Sequence, residues 1–231
     1  MSRTVGTRGQ VTSFNRNAYS GPTGTIPITE IFASIQGEGS FMGVPAIFIR
    51  TAGCPVGCSF CDSKNSWDVT HSTRMSFEEI ARTVYRLTDQ GRITNVVVTG
   101  GEPTIYESLY GFVRWLRQEG YRVMLETSGV TDIPSGYYHW VVCSPKPSTG
   151  YHVPKDHIDE LKLVVGSHVE DIYKTISAAL LYKYAGRIWL QPCDEGSPAS
   201  QAENLRRCYR LAMKDPRFRV GIQLHKILEV R

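Results

Sequence analysis

Three cysteines, Cys54, Cys58 and Cys61, stand at Cys-x3-Cys-x2-Cys spacing in the stretch Gly53-Cys54-Pro55-Val56-Gly57-Cys58-Ser59-Phe60-Cys61-Asp62-Ser63. Thiolates at this spacing can curl around one face of an iron–sulfur cubane, because Gly53, Pro55 and Gly57 let the backbone turn tightly. Three local ligands hold three irons and leave one open, and an open iron can bind an external molecule and pass it an electron. The same thiolates would suit a structural zinc ion if a further ligand such as His71 completed a tetrahedron. Structural zinc more often draws on two separated pairs, however, and Cys143, Cys193 and Cys208 are scattered singly. Those three read as small buried hydrophobes in a reducing compartment rather than as a disulfide framework.

Other polar clusters follow apolar runs. Val44-Pro45-Ala46-Ile47-Phe48-Ile49-Arg50 reads as a buried strand that ends on a guanidinium beside the cysteine loop, placed to pair bidentately with a carboxylate. Thr99-Gly100-Gly101-Glu102-Pro103 forms a backbone shelf able to hold an ammonium group through carbonyls and Glu102, or is simply a turn. Ser34-Ile35-Gln36-Gly37-Glu38-Gly39-Ser40 is a polar turn whose glycines allow a ligand close approach, with an ordinary surface turn as the plainer alternative.

These clusters need elements to hold them. Ser76-Phe77-Glu78-Glu79 is a capping box, with Met75 and Ile80 as its hydrophobic staple, so a helix starts at Phe77 and runs toward Gly91. Ile93 to Val98 is a β-branched strand, Leu109 to Leu116 a helix closed by Gly120, and Arg122 to Leu125 a strand entering Glu126-Thr127-Ser128-Gly129. Trp140 to Cys143 leads into Ser144-Pro145-Lys146, and Glu160 to Val165 is the next strand. A helix over Val169 to Leu181, a strand over Ile188 to Pro192, a helix over Pro198 to Met213 and a closing strand from Phe218 to Leu224 complete the series, with His225 and Lys226 at its end. Alternation of this kind builds a parallel sheet, so the expected fold is α/β, an incomplete TIM-like barrel of about six mainly parallel strands with its site at their carboxyl ends.

The chain has 231 residues, 41% of them hydrophobic, and a formal net charge of +4. That size favours one compact domain over residues 26–231, preceded by a flexible arm over residues 1–25 that is rich in Ser, Thr, Gly and Asn. No lysine or arginine tract marks a nucleic-acid partner, and Arg206, Arg207 and Arg210 fit a solvated helix face. No apolar run approaches the roughly 20 residues that cross a bilayer, and the start lacks a signal-peptide core, which points to the cytoplasm.

Together, the cysteine loop and Gly100-Gly101-Glu102-Pro103 after the next strand resemble the radical S-adenosylmethionine enzymes. Within them, Ile35-Gln36-Gly37-Glu38-Gly39, Pro45 to Arg50, Glu126 to Gly129, Ser144-Pro145-Lys146 and His225-Lys226 resemble the 7-carboxy-7-deazaguanine synthase family, over roughly Pro27 to Arg231. The resemblance implies a ring contraction of 6-carboxy-5,6,7,8-tetrahydropterin to 7-carboxy-7-deazaguanine with loss of ammonia. It would use a [4Fe-4S] cluster, S-adenosylmethionine and Mg²⁺. It further implies that a 5′-deoxyadenosyl radical takes the hydrogen at substrate C6 and that S-adenosylmethionine is regenerated, so that no side chain is itself the catalyst.

By the same resemblance Cys54, Cys58 and Cys61 hold the cluster, and Gly100, Gly101 and Glu102 hold the methionine end of S-adenosylmethionine. Phe60, Cys61, Asp62, Ser144, Pro145 and Lys146 surround the rest of it, and Glu126 and Ser128 reach its ribose. Ile35, Gln36, Gly37, Arg50 and Thr99 hold the pterin, with Arg50 facing its carboxylate and Glu38 and His225 as further contacts. Ser63 is the magnesium ligand, a departure from the family's usual threonine, and Ser128 stands where asparagine is frequent. The carboxylate of Arg231, six residues after His225, would fold back onto the pterin. A flavodoxin-type reductant and a homodimer are also implied. Two other readings stay open: an activase of the same superfamily acting on a protein partner, and a metal-stabilised binding module whose basic helix around Arg206 contacts nucleic acid.

Overall fold

The computed structural model of the protein describes residues 19–88, 92–155, 157–169 and 171–231. Most of the expected arm, and the expected helix end at Gly91, lie outside the described residues.

One nine-stranded sheet organises the chain. Its strands are β1 (Thr25–Ile35), β2 (Pro45–Thr51), β3 (Thr73–Ser76), β4 (Asn95–Gly100), β5 (Arg122–Thr127), β6 (Trp140–Cys143), β7 (Glu160–Val165), β8 (Ile188–Pro192) and β9 (Phe218–Val220). They lie in the order β3-β1-β2-β4-β5-β6-β7-β8-β9, with β3 and β9 as unpaired edges, so the sheet is not closed. From β2 to β9 every pairing is parallel, whereas β1 runs antiparallel to both β2 and β3.

The helices are α1 (Phe77–Leu87), α2 (Ser108–Gln118), α3 (Ala178–Lys183), α4 (Pro198–Lys214) and α5 (Leu224–Ile227). The capping box forms as read: Ser76 Oγ accepts from the Glu79 N–H at 3.2 Å, and the Ser76 N–H donates to Glu79 Oε2 at 2.7 Å. α1 then buries Phe77, Ile80, Ala81 and Val84, and Phe77 stacks on Phe112 of α2 at 4.9 Å. Each such large side chain contributes about 1.5–3 kcal/mol through burial.

Alternation along the strands splits the sheet into two faces. Ile47 and Ile49, Val96 and Val98, Val123 and Leu125, and Leu161 and Leu163 join the main core with residues of the helices. Their neighbours Ala46, Val97 and Met124 form a second, smaller core with Phe41, Phe48 and Trp140. Beyond that small core, the same face carries polar side chains, and those bound the cavity described below.

Three expectations change. Seven parallel strands and two antiparallel ones replace the expected six or so; the four-residue β3, with the sequence Thr-Arg-Met-Ser, has no apolar pattern to announce it. The helix expected over Val169 to Leu181 is instead a 3-10 turn at Ile172–Lys174 followed by α3. Two side chains interrupt it by capping new starts: Asp171 accepts from the Tyr173 N–H at 3.0 Å and Ser177 from the Leu180 N–H at 3.3 Å. The last strand ends at Val220, because after Gly221 N–H donates to the Leu190 carbonyl at 2.8 Å the chain turns away. The Leu224 N–H then donates to the Gly37 carbonyl at 2.9 Å, and His225 and Lys226 sit on the short helix α5 rather than on a strand.

Candidate active site

A cavity of about 700 Å³ opens where the carboxyl ends of the parallel strands meet the loops that follow them. Cys54, Cys58 and Cys61 line it, and all three are free and partly exposed. Gly53 and Gly57 take φ of +92° and +62°, the left-handed region in which glycine is preferred, so the loop turns where its glycines fall. Backbone bonds from Gly53 N–H to the Ser66 carbonyl at 2.8 Å and from Cys54 N–H to the Trp67 carbonyl at 3.2 Å anchor it. The Ser63 N–H and Trp67 Nε1–H both donate to Cys61 Sγ, at 3.4 and 3.3 Å, the kind of bond that tunes a sulfur ligand.

The glycine shelf lies against this loop. Gly101 N–H donates to the Thr51 carbonyl and Glu102 N–H to the Gly53 carbonyl, both at 2.9 Å, and a Cβ at Gly101 would run into the Gly53 carbonyl. Gly100 and Gly101 line the cavity, as do Thr99, Phe60, Asp62, Ser63, Glu126, Ser128, Ser144 and Lys146. Glu102 and Pro145 do not line it, and both are buried. The Glu102 carboxylate accepts from Thr104 N–H at 3.2 Å, Thr104 Oγ1 at 2.7 Å, Thr127 Oγ1 at 2.7 Å and Ser128 N–H at 2.7 Å, and from Ser128 Oγ. It therefore ties the loops after β4 and β5 together, and the Ser128 hydroxyl is turned toward it.

Across the cavity, Ile35 ends β1 and Gln36, Gly37 and Glu38 follow it, and Lys162 rises from β7. Lys162 Nζ donates to Glu38 Oε2 at 2.6 Å and to Glu126 Oε2 at 2.9 Å. Gln36 Nε2 donates to Glu126 Oε1 at 3.0 Å, and Gln223 Nε2 to Glu38 Oε1 at 2.8 Å. Burial pushes the Glu38 carboxyl up, but the Lys162 ammonium and the bonds from Lys162 and Gln223 outweigh it and hold Glu38 below the usual carboxylate range. Burial also pushes Glu126 up, and there the charge of Glu38 leaves it raised despite Lys162. The ammonium between them is held protonated, its burial overcome by the two carboxylates.

Arg50 occupies the opposite wall. Its Nε donates to Glu30 Oε1 at 2.9 Å and its Nη1 to Ser63 Oγ at 3.4 Å. Ser63 Oγ in turn donates to Asp62 Oδ1 at 3.0 Å, so that hydroxyl sits between a guanidinium and a carboxylate. Arg231 also lines the cavity, pairing with Glu30 at 3.4 Å, and its backbone oxygen accepts from Ser34 Oγ. His225 lies against Gly37 on the Glu38 side, its imidazole pKa lowered by burial.

Sequence reasoning overlooked Lys162 and Gln191. The amide oxygen and nitrogen of Gln191 are both buried at the cavity wall without a partner. The signal was there: in Glu160-Leu161-Lys162-Leu163-Val164-Val165 and Ile188-Trp189-Leu190-Gln191-Pro192, a polar residue interrupts a strand whose neighbours are core. His71, the candidate fourth zinc ligand, is exposed, faces Asp68 at 3.9 Å and does not line the cavity.

The cavity beside the three cysteines has the volume of a small-molecule site.

Comparison with known proteins bears on this arrangement. Residues 48–179 match the Radical SAM superfamily. The 7-carboxy-7-deazaguanine synthase of Bacteroides thetaiotaomicron is 32% identical over 88% of this chain and 98% of its own. That of Escherichia coli K12 is 34% identical over 88% and 98%, and that of Pyrobaculum aerophilum 37% identical over 88% and 94%. The crystal structure of QueE from Escherichia coli superimposes with a TM-score of 0.68 at 29% identity, covering 87% of this chain and 95% of that one.

Proposed function

The chain belongs to the 7-carboxy-7-deazaguanine synthase family of the Radical SAM superfamily, and on that premise we propose how its cavity carries out the family's reaction. The reaction is the radical-mediated contraction of 6-carboxy-5,6,7,8-tetrahydropterin to 7-carboxy-7-deazaguanine with release of ammonia, a step of queuosine-type 7-deazapurine biosynthesis. A [4Fe-4S] cluster and S-adenosylmethionine belong to it as cofactors through the superfamily, and when bound they supply hydrogen-abstracting radical chemistry.

The chain's own residues bind, orient and exclude water. Cys54, Cys58 and Cys61 hold the cluster; Gly100 and Gly101 offer backbone to the methionine end of S-adenosylmethionine, and Phe60, Asp62, Ser144 and Lys146 border its remainder. Glu102 acts behind them, fixing the loops that carry Gly101 and Ser128. Arg50 meets the pterin carboxylate with the guanidinium nitrogens that Glu30 leaves unused. Ser63 Oγ, beside Asp62 and Arg50, offers oxygen to Mg²⁺ together with that carboxylate. Gln36, Glu38, Glu126, Gln191 and His225 face the ring's amide and amino groups, and Lys162 keeps the two carboxylates in register. Arg231 closes the cavity beside Arg50. Fixing the ring this way makes hydrogen transfer effectively intramolecular and keeps radicals from solvent.

The observation that carries this reading is the meeting, in one cavity, of a cysteine triad, a glycine shelf and a guanidinium. The sheet serves as an incomplete barrel whose open interior is the reaction chamber, and residues 26–231 work as one unit around it. A flavodoxin-type reductant, a homodimer and a cytoplasmic setting follow from the family; among the described residues, no helix is long and apolar enough to cross a membrane.

The test is anaerobic incubation of the reconstituted protein with the pterin, S-adenosylmethionine, Mg²⁺ and a reductant, with product read by mass. Wild type should form 7-carboxy-7-deazaguanine and Cys58→Ser none. Cleavage of S-adenosylmethionine without that product would move the assignment to an activase.

A further inference from the structure

We propose that His168, Cys193 and Glu195 form a second metal site, for a zinc-class divalent ion, on the flank of the cluster loop. Their ligand atoms all lie within 4.8 Å of one another, the sole such trio of candidate ligands among the described residues. The set is mixed, one imidazole, one thiolate and one carboxylate, which suits zinc and the borderline transition metals and not magnesium.

Three observations point to a ligand there. His168 turns its Nδ1 toward the space over Gly166 that Glu195 and Cys193 also border, and its Nε2 is buried without a hydrogen-bond partner, so the imidazole is not used up by its surroundings. Cys193 is only 3% exposed, and its thiol makes no hydrogen bond among those described. The trio converges over Gly166, where a Cβ would stand 2.7 Å from Cys193 Cβ, 2.8 Å from Glu195 Oε1 and 3.1 Å from His168 Nδ1, so the absence of a side chain at Gly166 leaves the space between them.

The surroundings hold the trio as ligands are held. Glu195 Oε1 accepts from Ser167 N–H at 2.7 Å and Ser167 Oγ at 2.6 Å, and Glu195 Oε2 from Asn204 Nδ2 at 3.3 Å, which orients the carboxylate and leaves lone pairs for a metal. Asn204 Nδ2 also donates to the Cys193 carbonyl at 2.9 Å, locking the loop that carries the thiol. The His168 ring stacks on Phe60 at 4.2 Å with 12° between planes, so its plane is set by the residue that precedes Cys61. One thiolate and one carboxylate balance a divalent charge, and three protein ligands leave a fourth position open. Because Cys193 also lines the main cavity, an ion there would brace the cluster loop through Phe60 from behind.

The experiment compares full-length chains supplied with zinc, reconstituted anaerobically, passed over a chelating resin and analysed for zinc and iron by mass spectrometry. Wild type and the C54S/C58S/C61S variant should each retain about one zinc per chain. His168→Ala and Cys193→Ser should lose the zinc while keeping the cluster iron. No zinc in wild type, zinc that survives both substitutions, or zinc that disappears with the three loop cysteines would each overturn the site. Should His168→Ala or Cys193→Ser fail to fold, Gly166→Ala leaves all three ligands in place and fills the space between them, and should weaken zinc retention about tenfold. Cobalt in the C54S/C58S/C61S chain is the independent readout. A thiolate-to-cobalt charge-transfer band with tetrahedral d–d bands is expected, and a spectrum without the thiolate band would overturn the proposal.

Discussion

Glu102 and Lys162 show at the scale of single residues how the cavity is kept in shape. Glu102 is fully buried and satisfies two backbone N–H groups and three hydroxyls. Glu102→Ala strips acceptors from all of them, at about 1–3 kcal/mol for each donor left buried without water, so urea denaturation should show a loss of several kcal/mol. Glu102→Gln keeps one acceptor oxygen and should fall between; equal midpoints for all three proteins would refute the tie. Lys162→Met leaves Glu38 and Glu126 as adjacent buried carboxylates, which should cost about 3–5 kcal/mol near neutral pH. The sign of its pH dependence follows from Glu126. Its pKa is raised on folding, so its stabilising contribution is complete below the unfolded value of about 4.3 and is lost as pH rises through the folded value. Without the ammonium that loss deepens, and the deficit of the variant should widen as pH rises from the acid range; a deficit that narrows instead would contradict the assignment.

At the scale of elements, the site depends on loops that touch across the carboxyl edge of the sheet. Gly101 follows β4 with no space for a side chain, because the Gly53 and Ser66 carbonyls of the cysteine loop occupy it. Gly101→Ala should displace Gly53 and Cys54 and lower the iron retained after reconstitution, whereas Gly57→Ala, with no atom within 4 Å of the added carbon, should meet only backbone strain. Iron counts after gel filtration decide this, and equal full iron in wild type and Gly101→Ala would contradict it. Much of this level was legible in the sequence. Ser76 and Glu79 announce α1, and the β-branched and apolar runs of β4, β7 and β8 announce their strands, since local chemistry decides each. Hidden were β3, too short and polar to show a period, and the break before α3, where Asp171 and Ser177 compete with the helix for backbone N–H groups. The orientation of Glu102 was hidden for another reason: a carboxylate after two glycines reads as ligand-facing, and contacts with Thr127 and Ser128, distant in sequence, turn its carboxylate inward.

For the whole molecule, the sheet's two faces divide structure from chemistry. The helix-covered face carries the main core, while the other combines a small apolar plug with a polar chamber that draws residues from β1 to α5. Lys162 and Gln191 escaped the sequence reading for that reason, since a polar side chain in a parallel strand has meaning only once the sheet's interior is known to be open. In the proposed reaction the radical source and the carboxylated ring share that chamber. The measurement that tests this most directly follows deuterium placed at C6 of 6-carboxy-5,6,7,8-tetrahydropterin through anaerobic turnover, with mass analysis of the recovered S-adenosylmethionine. Deuterium should appear there in wild type, and transfer should fall steeply in Arg50→Gln as the carboxylate loses its guanidinium. Product formed with no label in S-adenosylmethionine, or S-adenosylmethionine cleaved with the pterin left intact, would contradict it.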